Sequence, residues 1–249
     1  LKLNLGYASL GIGKNRGISM SKLFAAGCSH TEGFEITVPN TLSPQDLELR
    51  WSKCLADLLN KQEVNSSRGG ADLDMVSDFA LQQLPTLTSE DICVILWPEP
   101  SRLVAYLPKY DNEFGFYIGR INNYTDKGKI PGDVELFGDA YFELFNNNYN
   151  MEKRFYMNYL MVDNAYHNKG IPVFHSRYST GAYKQKNVYD FGYAQQHYKE
   201  NSNVIPQTFV DYCLDKGYDP KIDGRDYHFT ADAHKDWADY VYEFIQCKY

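Results

Sequence analysis

Short, wholly apolar runs alternate along this chain with longer stretches of helical period. Leu23-Phe24-Ala25-Ala26, Ile92-Cys93-Val94-Ile95-Leu96-Trp97 and Ile171-Pro172-Val173-Phe174 are the apolar runs. Each is too short for a buried helix and apolar on successive residues, which predicts strands covered on both faces. Glu63-Val64-Asn65 is a further short candidate strand. Between them, Ser43-Pro44 gives a helix start with Ser as N-cap and Pro at the first helical position. Leu47, Trp51, Leu55 and Leu58 then recur at helical spacing and predict one buried face. A second helix is expected over Ala71–Leu84. A third is expected over Met151–Asn168, carried by Phe155, Tyr159, Leu160, Val162 and Tyr166 and closed by Gly170. A closing helix runs from about Asp232, lined by Trp237, Tyr240, Val241, Phe244 and Ile245. Strands alternating with helices predict an α/β fold, a parallel sheet with helices on both faces.

Two stretches break the pattern. Arg102 to Asn150 and Ser176 to Asn203 are polar, rich in Tyr and without a strong period. A long irregular stretch inside a compact domain reads as an insertion or a functional loop. With no internal repeat and no linker, residues 20–249 read as one domain with an insertion at about 103–203. Residues 1–19 hold four glycines and no apolar period, and Met20 leads straight into the first strand, so they read as an extension outside the domain. The chain has 21 tyrosines. Those in the middle stretches suit packing of the insertion on the sheet, and secondarily stacking on sugar rings.

Charge and cysteine usage narrow the function. The net charge is −7 among 249 residues, which argues against a nucleic-acid surface. The longest apolar run is too short to span a bilayer, and no secretory signal pattern precedes it, so a cytoplasmic or particle-associated protein is expected. The five cysteines share no CxxC spacing and read as free thiols. No cofactor is implied.

The chemistry concentrates at the two ends of the domain. Gly27-Cys28-Ser29-His30-Thr31-Glu32-Gly33 follows the first strand, and ligands in open α/β sheets bind outside the carboxyl ends of strands. Ser29 is the nucleophile candidate. Serine needs a base within hydrogen-bond reach, a group orienting that base, and donors for an oxyanion. His228, in Asp226-Tyr227-His228-Phe229-Thr230, is the base candidate, with Asp226 preferred and Asp223 second as its orienting acid. Taken singly, Ser29 is an ordinary turn serine and His228 an ordinary capping histidine. Asp226, His228, Asp232 and His234 have metal-ligating side chains, but no third region supplies further ligands. Cys28 points away from its neighbour Ser29 on an extended strand end.

Three blocks in order resemble the SGNH (GDSL-type) hydrolases, a flavodoxin-like α/β family of esterases, lipases and carbohydrate deacylases. Gly27-Cys28-Ser29-His30-Thr31 is similar to the family's Gly-Asp-Ser block, with Cys28 where Asp is usual. Asn65-Ser66-Ser67-Arg68-Gly69-Gly70 keeps the family's Asn and Gly five apart, which implies that the Gly70 backbone N–H joins that of Ser29 in an oxyanion hole. Asp226 to His234 resembles the Asp-x-x-His-Pro-Ser-x-x-Gly-His run, placing His228 at the catalytic position and His234 at a structural one. Asp226 stands one residue closer to His228 than that pattern has it. A fourth block departs. Where the family's strand ends in Gly-x-Asn-Asp and the Asn donates to the oxyanion, this chain has Trp97-Pro98-Glu99-Pro100-Ser101-Arg102. Glu99 falls nearest the Asn position, and an ionised Glu cannot donate. Arg102 or Ser101 is the replacement candidate. An aromatic residue and a nearby Arg at this strand end also resemble divergent SGNH-like proteins of tailed phages.

The resemblance covers about Met20–Arg102 and Pro206–Tyr249. It implies a serine esterase acting on a small acyl ester through an acyl-serine, with an O-acetyl group on a glycan as one substrate. The alternative is an SGNH-fold binding or structural module with little catalysis, as in a phage particle, motivated by Glu99. The expected partner is a small-molecule or glycan ester, with no nucleic acid and no membrane.

Overall fold

The computed structural model describes residues 20–38, 41–117, 120–123, 130–179, 190–219 and 228–249. Four parallel strands form the central sheet: β1 (Lys22–Gly27), β2 (Gln62–Ser67), β3 (Ile92–Trp97) and β7 (Val173–Arg177), in the order β2-β1-β3-β7. The registers run Leu23↔Glu63, Leu23↔Ile92 and Cys93↔Val173. A parallel bridge from His175 to Val204 extends the β7 edge.

The unbroken apolar runs arise because successive side chains serve two cores. Leu23, Ala25, Val94 and Leu96 face one side. There they meet α3 (Trp51–Leu58), α8 (Phe209–Asp215) and α9 (Ala231–Gln246) through Leu55, Phe209 and Trp237. Phe24, Ala26, Cys93, Ile95 and Trp97 face the other side. There they meet α4 (Leu73–Gln83), α6 (Asn148–Asn168) and α7 (Tyr193–Glu200) through Val76, Phe155, Tyr159 and Ala194. The result is a three-layer α/β sandwich, as the alternation of strand and helix predicts.

The helix starting at Ser43 is two helices. Ser43 and Asp46 form a reciprocal capping box at the start of α2 (Pro44–Leu49). Arg50 then takes an extended ψ of 149° and breaks the axis before α3. Its guanidinium holds Glu63 at 2.9 and 2.8 Å and the Glu32 carbonyl at 3.3 Å. That anchorage outweighs a helical period that runs straight through the break.

The stretch after Arg102 is more regular than its sequence suggests. β4 (Leu103–Leu107), β5 (Asn112–Tyr117) and β6 (Arg120–Asn123) make an antiparallel sheet. α5 (Gly132–Ala140) continues into a π-helical turn over Tyr141–Phe145. Phe114 and Phe116, two residues apart on β5, bury one face against Val134. This subdomain is fastened to the central domain by charge. Arg68 meets Glu113 at 2.6 Å, and Asp72 accepts from the Val104 N–H at 2.9 Å and from Arg154 at 3.1 Å.

All five cysteines are free thiols, Cys28, Cys93 and Cys213 being buried. Among the described residues no helix is long and apolar enough to cross a membrane.

Candidate active site

The strand order places the site. The chain runs from β1 to β2 on one side and then crosses past β1 to β3 on the other, so the strand order reverses beside β1 and opens a crevice at its carboxyl end. The next residues are Cys28, N-cap of a one-turn helix α1, and Ser29, its first residue. α1 spans Ser29–Glu32 and ends at Gly33 with a left-handed φ of 92°. Gly27 permits the turn, since a Cβ there would stand 2.1 Å from Thr31 Oγ1. Cys28 is fully buried in the α4-side core, so the pair diverges as a strand end requires.

Ser29 and His228 meet although 199 residues separate them. His228 Nε2 lies 2.8 Å from Ser29 Oγ. Behind the ring, a Glu35 carboxylate oxygen lies 2.9 Å from Nδ1. A carboxylate there favours the proton on Nδ1 and leaves Nε2 to accept from the serine hydroxyl. Among the described residues the acid beside the imidazole is Glu35, which sequence reading passed over. Asp226 and Asp223 lie outside the described residues.

Glu35 follows α1 by three residues and is 1 % exposed. Its φ is 62°, left-handed for a non-glycine residue, and its N–H donates to the Thr41 carbonyl at 2.8 Å. Such a conformation costs about 1–3 kcal/mol and persists where surrounding contacts impose it. It brings a carboxylate from the loop that follows Ser29 under the imidazole. No fixed spacing from the serine or the histidine announces this. The available signal was an acid within a few residues of Ser29.

Two further residues shape the site. His30 is 2 % exposed and stacks on His228 at 4.4 Å and on Tyr178 at 4.4 Å. Burial, and then the charges of His228, His234 and Arg102, hold its pKa well below the ordinary range. A neutral ring therefore backs His228. Glu32 Oε2 accepts the Gly69 backbone N–H at 2.6 Å. Burial raises the Glu32 pKa against the opposing Gly69 N–H, Arg50 and Arg68. A Cβ on Gly69 would be 3.9 Å from Ser29 Cβ, so the glycine loop lies against Ser29. Gly70 turns that loop with a φ of 78°. Asn65 donates to the Thr31 carbonyl and to Ser52 Oγ, both at 2.8 Å, and thus supports α1.

Glu99 and Arg102 lie on the turn after β3, where the Arg102 N–H donates to the Glu99 carbonyl at 3.2 Å. Burial raises the Glu99 pKa, opposed by the charges of Arg102 and Arg177. Ser101 is buried beside them. His234 is structural: its Nδ1 accepts the Trp51 N–H at 3.1 Å, and burial depresses its pKa to about 3. Among the described residues no group of three or more His, Cys, Asp or Glu side chains is placed to hold a metal.

No family model matches the chain, and no curated protein sequence matches it. Solved structures do. One is a protein from Desulfitobacterium hafniense assigned to the G-D-S-L family of lipolytic proteins, with a TM-score of 0.51 and 13 % identity, covering 90 % of this chain and 99 % of that one. A second is a carbohydrate esterase described as having divergent catalytic and non-catalytic binding functions, with a TM-score of 0.45 and 12 % identity, covering 91 % of this chain and 65 % of that one. The fold is of the SGNH-hydrolase type, a parallel α/β sheet with helices on both faces.

Proposed function

We propose that this protein is a serine esterase that cleaves a small acyl ester through an acyl-serine intermediate. The observation that carries the reading is the 2.8 Å contact between Ser29 Oγ and His228 Nε2, backed by Glu35 at 2.9 Å. In the proposed reaction Ser29 Oγ attacks the ester carbonyl as His228 takes its proton. Glu35 holds the imidazole and offsets the charge of the imidazolium. His228 then protonates the leaving alkoxide. Water, deprotonated by the same imidazole, attacks the acyl-serine and releases the carboxylic acid. The Ser29 backbone N–H and the glycine loop at Gly69-Gly70, held by Glu32, are assigned to the oxyanion. An O-acetyl group on a glycan is the specific substrate proposed.

Glu99 motivates the other reading, a binding or structural module with the same fold. Hydrolysis of p-nitrophenyl acetate by the intact protein and by Ser29→Ala separates the two. Turnover with an initial burst, lost in Ser29→Ala, is expected. Equal background rates for both proteins would leave the binding module.

A further inference from the structure

A cavity of 670 Å³ opens at the far end of the sheet from Ser29. Its walls include Gly170 to Val173, at the amino end of β7, and Asn203. Val173 pairs with Cys93 near the amino end of β3, whereas Ser29 follows the carboxyl end of β1. Six-residue parallel strands put about 20 Å between those ends. The cavity is therefore separate from the catalytic crevice.

Asp163, His197 and Asn201 line it and belong to a polar network, continued beneath by Tyr159, His175 and Trp97, that the ester chemistry does not use. The Trp97 indole N–H donates to His175 Nδ1 at 3.2 Å, so the proton of His175 sits on Nε2, 3.0 Å from Asp163 Oδ1. Asn201 donates to Asp163 at 2.9 Å and to Tyr159 Oη at 2.7 Å. Tyr159 Oη in turn meets His197 Nδ1 at 2.9 Å, and His197 Nε2 lies 3.5 Å from Asp163 Oδ2. Burial pushes the Asp163 carboxyl up, but His175, His197 and Asn201 outweigh it and hold the pKa below the ordinary range. A buried, satisfied polar network of this kind is rigid, and in the wall of a cavity it marks a functional-site candidate.

The rim has the complementary chemistry. Tyr193 and Tyr249 line the cavity and are 69 % and 73 % exposed. Asn164, His167 and Gln196 present donors and acceptors beside them. Exposed aromatic faces next to fixed amide, imidazole and carboxylate groups suit a ligand with apolar C–H faces and many hydroxyls. We infer that this cavity binds a short stretch of carbohydrate, independently of the catalytic site. A protonated amine fits less well, because Asp163 is already engaged by its histidine and asparagine neighbours and Glu200 is hydrogen-bonded to Gln196. Such a site would hold a polymeric glycan while Ser29 acts elsewhere on it.

The test uses the Ser29→Ala full chain, so that no hydrolysis is involved and the result stands apart from the esterase reading. Chitotriose, cellotriose and maltotriose are titrated into 15N-labelled protein, with spermidine as the cationic comparison. At least one trisaccharide is expected to shift amides around Gly170, Tyr193 and Asn203. Tyr193→Ala and Asn164→Ala, both at exposed positions, are each expected to weaken that binding by about tenfold or more while leaving p-nitrophenyl acetate turnover unchanged in the Ser29 background. Any of four results would overturn the inference: no shifts with any trisaccharide, shifts confined to residues around His228, binding of spermidine alone, or binding indifferent to both substitutions.

Discussion

The site turns on a few atoms, and each has a distinct expected signature. His228→Ala removes the base, and a fall in ester turnover of about 10²–10⁴-fold is expected. Glu35→Gln keeps the shape but loses the charge and the tautomer preference, and kcat should fall by up to about 10⁴-fold with KM little changed. Asp226→Asn is the parallel variant on the same scale. A large loss there with none at Glu35 would return the acid's role to the Asp226 loop. His234 belongs to stability. Its folded pKa of about 3 lies below the unfolded value of about 6.5, so below pH 6.5 the unfolded chain binds more protons. Stability from this residue is therefore present above about pH 6.5 and lost progressively as the pH falls toward about 3. His234→Leu should flatten that part of the urea-midpoint profile while costing about 1–3 kcal/mol at neutral pH through the unpaired Trp51 N–H.

At the scale of elements, the β1–α1 junction is the tightest joint. A Cβ at Gly27 would approach Thr31 Oγ1 to 2.1 Å and the Leu96 carbonyl to 3.0 Å, and the backbone partner cannot rotate away. Gly27→Ala is expected to destabilise the fold by about 1–3 kcal/mol, read as a lowered thermal midpoint. The glycine loop is a looser element, held to α1 through Glu32. Glu32→Ala should lower kcat about tenfold with a smaller change in thermal midpoint. Equal kcat in that variant would mean that the loop keeps its place without the carboxylate. The strands and the longer helices were legible in the sequence because burial on both faces writes continuous apolar runs and burial on one face writes a helical period. The β4–β6 sheet was not. Its core is built from few residues, Phe114 and Phe116 with Val134, and that alternation is too short to stand out among the tyrosines.

For the whole molecule, fold class and the meeting of Ser29 with His228 could be read before any coordinates because both rest on local rules. A small-residue turn after a buried strand marks the crevice, and motif resemblance links Ser29 to His228. The place of Glu35 could not be read that way. Glu35 reaches His228 through a left-handed backbone turn, and tertiary packing fixes that conformation rather than any residue spacing. The break at Arg50 was hidden for the same reason, since its cause is a contact with Glu63 on another element. The insertion joins the domain through Arg154, which bridges Asp72, Asp74 and the Arg102 carbonyl. The same arginine thus links α6 to the strand-end turn and to the start of α4. The measurement that bears most directly on the account is fluorophosphonate labelling of the intact protein beside Ser29→Ala, His228→Ala and Glu35→Gln. The account predicts rapid labelling of the intact protein, none in Ser29→Ala, and strongly slowed labelling in the other two. Absence of labelling in the intact, folded protein, or undiminished labelling in His228→Ala and Glu35→Gln, would contradict it.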